Sequence, residues 1–108
     1  MSWTLIPIEG NWFYIKNRKS GQYLCVAGGS TNDSVQVVQW TLVKGDHQFH
    51  WSFDVTGRPK NNLVTIKNRK SGKLMSLATA STKNGIRIVQ NPLGPNPQHQ
   101  VWRVIEVK

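Results

Sequence analysis

The chain has 108 residues, enough for one domain with a hydrophobic core and too few for two independent ones. Its 14 Lys plus Arg against 5 Asp plus Glu give a net charge of +9, which favours anionic surfaces such as nucleic acid, sulfated glycans or acidic membranes. The single cysteine, Cys25, excludes an intrachain disulfide, and no apolar run approaches the roughly 18 to 20 residues of a spanning helix.

Met1 to Pro7 lacks the basic-then-apolar order of a secretory leader, so the expectation is a cytoplasmic chain or one released without a leader. Trp3 to Pro7 reads as a first strand. Phe13 to Asn17 reads as a second, closed by the Ser20-Gly21 turn, and Tyr23 to Val26 as a third. After the Gly28 to Asp33 loop, Val35 to Trp40 alternates as a half-buried strand does. Trp51 to Val55 follows. Leu63 to Lys67, Leu74 to Leu77 and Ile86 to Gln90 repeat the series, with Asn84-Gly85 as a tight-turn signal, and Trp102 to Glu106 ends it. Helical spacing is absent. About nine short strands punctuated by Gly, Asn and Ser describe an all-β sandwich or barrel.

The series is an internal duplication. Ile15-Lys16-Asn17-Arg18-Lys19-Ser20-Gly21 returns unchanged as Ile66-Lys67-Asn68-Arg69-Lys70-Ser71-Gly72, 51 positions later. In the same register Ala27 returns as Ala78, Ser30-Thr31 as Ser81-Thr82, Val38-Gln39 as Val89-Gln90, Leu42 as Leu93 and Trp51 as Trp102. Self-similarity at a fixed period dictates architecture. A single domain over 1–108 results, with repeat one at about 12–55 and repeat two at about 63–106. A Trp opening each closing strand can fill part of a barrel core, so Trp3, Trp51 and Trp102 are expected inside. A Gln just before it can satisfy turn backbone.

Tyr14 through Leu24, with Ile, Asn, Ser-Gly and Leu at fixed spacing, the Val37 to Trp40 strand and the closing Gln100-Val101-Trp102 together resemble the ricin B-type lectin repeat. Copy one departs at the closing motif, because Gln48-Phe49-His50-Trp51 has one residue too many. The resemblance implies a β-trefoil-like fold, with two full lobes plus an extra Trp-led strand where a trefoil has three lobes. An open barrel exposes sheet edges and core. Association of chains is the favoured remedy; a smaller closed barrel and a fragment of a longer chain are the others.

The resemblance also implies one sugar site per lobe, built from an Asp after the second strand's Leu, an aromatic ring at the end of the third strand and a polar residue in the next loop. A fixed acceptor meets sugar hydroxyls and a flat ring meets the C–H face. The Asp position holds Cys25 in copy one and Ser76 in copy two, so the charge-assisted anchor is absent from both. The ring position holds Trp40 in copy one and Asn91 in copy two. Copy one is therefore the expected sugar site, with Trp40 as platform, Asp46, His47 and Gln48 as polar partners, and Asp33 as a substitute carboxylate. Copy two reads as structural, and its proline-rich Pro92 to Gln100 loop as a rigid connector.

The leading expectation is a non-catalytic carbohydrate-binding protein without a cofactor, its partner a carbohydrate or glycoprotein glycan. The alternatives are a protein-binding trefoil module, such as a protease inhibitor or toxin component, and a binder of sulfated glycan or nucleic acid. The basic stretches Lys16 to Lys19 and Lys67 to Lys73 motivate the last, although scattered cations give salt-sensitive, non-specific binding. Catalysis has little support. The five acids are not repeated between copies, His47, His50 and His99 lie in loops, and no metal or phosphate motif is present.

Overall fold

The computed structural model describes residues 3–55, 63–78, 87–94 and 97–103. Nine strands run in chain order among them: β1 (Trp3–Glu9), β2 (Trp12–Asn17), β3 (Tyr23–Val26), β4 (Val35–Trp40), β5 (Trp51–Val55), β6 (Leu63–Asn68), β7 (Leu74–Leu77), β8 (Ile88–Asn91) and β9 (Trp102–Arg103). The Asn84-Gly85 turn, Ser81-Thr82, Ile86 and the chain beyond Arg103 lie outside the described residues.

Two layers follow from the pairing. Strands β1-β2-β5-β6-β9 are antiparallel neighbours in that order and form a barrel wall. Hairpins β3–β4 and β7–β8 cover it and join each other through Val35↔Gln90 and Gln36↔Val89. The wall obeys the two-residue side-chain period. In β2, Ile15 and Asn17 are buried; in β6, Val64, Ile66 and Asn68 are. Ile15, Val26, Val37, Trp51, Val64, Ile66 and Met75 form one core cluster, with Trp102 packed against it.

The seven repeated residues build the same turn twice. Asn17 Oδ1 accepts the backbone N–H groups of Lys19 and Ser20, and Asn68 Oδ1 accepts those of Lys70 and Ser71. Ser20 Oγ donates to Gln39 Oε1 at 2.8 Å, and Ser71 Oγ donates to Gln90 Oε1 at 2.8 Å, tying each turn to its own hairpin. Gly21 and Gly72 sit at φ 73° and 70°, left-handed backbone that costs glycine no steric penalty. The identity of the sequence is thus the identity of a self-capped turn.

Trp3 departs from expectation. Trp51 is fully buried and Trp102 partly so, whereas Trp3 is 37 % exposed and Leu5, two residues on, 41 %. The reason is a partner. Trp51 donates its indole N–H to the carbonyl of Leu24 and Trp102 to that of Met75, in each case on a strand 27 residues upstream. No described strand stands in that relation to Trp3. Its indole instead borders an open cavity of about 480 Å³ that reaches Leu24, Val37, Met75 and Ile88.

Candidate functional site

In copy one, strand β4 carries Trp40 outward at its end, opposite Tyr23 of β3. Trp40 is 62 % exposed, a large apolar surface left in solvent. Beside it lies a cavity of about 570 Å³ whose walls include Cys25, Gly28, Gln39, Trp40, Gln48 and Phe49. Two 3₁₀ turns shape it, Ala27–Gly29 after β3 and His47–Phe49 before β5.

The second of these turns fixes Gln48. Phe49 N–H donates to Asp46 O and His50 N–H to His47 O. Gln48 Nε2 donates to Asp46 Oδ2 at 2.8 Å. The turn of copy two holds the same segment from below, through Asn68 Nδ2 to Gln48 O at 2.9 Å and Arg69 N to His50 O at 2.9 Å. Gly29, at φ 64°, lets the walls close. A Cβ there would lie 3.0 Å from Lys70 Nζ and 3.1 Å from Gln48 Oε1.

Cys25 occupies the family's carboxylate position and is buried. Burial, reinforced by the nearby Asp46 carboxylate, pushes its thiol up to about 11, so it remains a neutral wall atom. Asp46 thus brings a negative charge close to where the family places one, but from the following loop.

The expected site residues separate. Trp40 and Gln48 share the cavity, and Asp46 is bonded to Gln48. His47 is exposed at the turn, its ring 5.0 Å from that of His50. Asp33 is placed elsewhere, exposed and 3.4 Å from Lys73 Nζ of copy two. Sequence reading missed Cys25, Gly28 and Phe49 as cavity walls. The 51-residue register was the available signal, since it aligns Phe49, not Gln48, with Gln100.

Copy two fills the equivalent positions with polar contacts. Gln100 Nε2 donates to Ser76 Oγ at 3.0 Å and to Pro92 O at 2.9 Å, while its Oε1 accepts Gly94 N–H. Asn91, at the ring position, accepts from Ser34 N–H and Oγ–H of copy one. Where copy two pairs a buried Gln with Ser76, copy one sets Phe49 and Cys25, an apolar pair at the same two positions. Copy two uses Gln100 to tie its own loop to Ser76, and Asn91 to join the two lobes.

A separate cluster flanks the candidate site. Arg69 pairs with Glu9 at 2.7 Å, lies 5.2 Å from the Trp12 ring and donates to His50 Nδ1 at 3.3 Å. The guanidinium bonded to it holds the Glu9 carboxyl below the usual range. Burial chiefly, with His47 and Arg69 adding, pushes His50 down, against smaller upward pulls from Glu9 and Asp46. No helix among the described residues is long and apolar enough to cross a membrane.

Comparison with known proteins agrees with this geometry. Residues 2–90 and 49–108 match the family described as Ricin-type beta-trefoil lectin domain-like. Among solved structures, the designed three-fold symmetric protein ThreeFoil is similar at TM-score 0.88 and 26% identity, over 97% of this chain and 71% of that one. The exo-beta-1,3-galactanase 1,3Gal43A of Clostridium thermocellum is similar at 0.87 and 30%, over 97% of this chain and 22% of that one. A Polyporus squamosus lectin, bound to a human-type influenza-binding sialylated epitope, is similar in fold at 0.78 and 21%, over 93% of this chain and 34% of that one. The chain thus spans 22% and 34% of the length of these two natural proteins. No curated protein gives a significant match. The repeated self-capped turn, the Trp-led strands and the family match together make this chain a member of the ricin-type β-trefoil lectin domain-like family.

Proposed function

We propose that the protein binds carbohydrate, without turnover, in the copy-one cavity. The observation that carries this reading is the exposed Trp40 ring beside a cavity whose polar wall includes Gln48. A sugar's C–H face would lie on the indole, and its hydroxyls would meet the Gln48 amide and, behind it, the Asp46 carboxylate. His47 does not line the cavity, and Asp33, engaged by Lys73, lies away from it. The Polyporus squamosus lectin's bound glycan supports the ligand class. An open site gives modest affinity for one sugar, so association of chains would add avidity. A glycan array tests this: wild type should give signals that Trp40→Ala loses. A wild-type array at background would overturn the reading.

The charge supports a second, weaker reading. Arg18 and Lys19 of copy one are exposed and carry no ion pair among the described residues, whereas Arg69 and Lys73 of copy two are paired. Such cations attract anionic polymers non-specifically, and retention on heparin should be lost by about 0.5 M salt.

A further inference from the structure

We propose that His50 makes the copy-one site pH-sensitive: its protonation displaces the Asp46 to His50 turn and withdraws Gln48 and Phe49 from the cavity. The inference rests on the sugar-binding reading of that cavity and adds its regulation. His50 is 4 % exposed and sits directly after the turn that carries Gln48. A guanidinium has donors only, so the 3.3 Å contact from Arg69 requires His50 Nδ1 to be bare and places the ring proton on Nε2. That Nε2 is buried with no partner among the described residues. The one ring position open to a second proton therefore faces a positive charge.

Arg69 cannot easily retreat. It is bonded to Glu9 at 2.7 Å and lies against the Trp12 ring. The other groups around His50 are the His47 ring at 5.0 Å, the Tyr14 ring at 5.3 Å, and the Glu9 and Asp46 carboxylates. The His47 ring adds to the repulsion, while Glu9 and Asp46 offset part of it. The neutral ring is favoured because burial opposes the charged form more than the two acids support it. The pinned guanidinium stays, and the imidazolium moves outward. Its backbone N–H is hydrogen-bonded to His47 O, so the turn follows, giving up the bonds from Arg69 N–H to His50 O and from Asn68 Nδ2 to Gln48 O, and Gln48 and Phe49 move with it.

The sign follows from the downward displacement. Above the ordinary histidine value of 6.5 the ring is neutral in every state and the site is formed. As pH falls below 6.5, the open form accepts the proton first and gains population. Binding should weaken on acidification and recover on neutralisation.

The test is titration of the best array glycan against the full chain from pH 8 to 5, with near-UV circular dichroism at each pH to confirm that the fold persists. Affinity should fall about tenfold or more, reversibly, and His50→Gln should flatten the profile while retaining binding at pH 8. Should His50→Gln misfold, ring NMR of wild type decides instead. His50 must titrate below the ordinary value, and the Gln48 amide must shift with it. Binding at pH 8 that stays flat to pH 5, or a His50 ring titrating at or above 6.5, overturns this inference and leaves the sugar site standing. No glycan binding at any pH overturns the site itself.

Discussion

The indole N–H of Trp51 donates to the carbonyl of Leu24 at 3.0 Å, across 27 residues, and so locks the closing strand of one lobe onto the cap hairpin of the same lobe. Trp102 makes the equivalent bond to Met75 at 2.9 Å. Removing a buried Trp costs its transfer energy plus a cavity, and here also leaves a carbonyl unpaired. Trp51→Ala should lower stability by about 3–5 kcal/mol in urea unfolding. Trp102→Ala should cost less, and the exposed Trp3→Ala under about 1 kcal/mol.

Trp40→Ala should change the unfolding midpoint little, by about 0.5 kcal/mol or less, since the ring is mostly in solvent. The same variant should lose all glycan binding. A combination of large destabilisation and intact binding would place the ring in the core and out of the site.

Asn68 caps its turn through Oδ1 and holds Gln48 O through Nδ2, whereas among the described residues the Asn17 side chain makes the two turn caps alone. Asn68→Ala should cost about 2–3 kcal/mol, more than Asn17→Ala, and weaken glycan binding through the loosened Gln48. Equal effects in the two copies, measured by denaturation and binding titration, would contradict the cross-lobe role.

Cys25 should resist alkylation at pH 8. The thiol is buried and pushed up to about 11, so the reactive thiolate is scarce in the fold. Labelling should become rapid in denaturant. Mass spectrometry of native and unfolded samples reads the difference directly.

The side of β1 that pairs with no described strand, with Leu5 exposed and Trp3 exposed at the open cavity, leads us to expect that chains associate. Pro7 lies on that strand, and the net charge opposes close approach, so association should strengthen with salt. Light scattering should give a mass above 12.2 kDa, rising with ionic strength, and the monomer mass at every salt concentration would sink the expectation.

The sequence by itself determined the architecture. Identical Asn, Ser and Gly at one spacing specify one turn, because each acts on backbone within three residues of itself, and the duplication therefore read correctly as two lobes of nine-strand, all-β structure. Trp40 as an exposed ring was also legible, since it ends an alternating strand. Tertiary structure alone decided the rest. Trp3 and Trp51 look alike in sequence and differ in burial, because burial depends on a covering strand 27 residues upstream, whose carbonyl accepts the indole N–H. Asp33 faces Lys73, and Arg69 faces His50, across the lobe boundary, a juxtaposition no local spacing encodes. Local periodicity writes the turns and strands; the site depends on which lobe surfaces meet, and only the closed packing of the two copies fixes that.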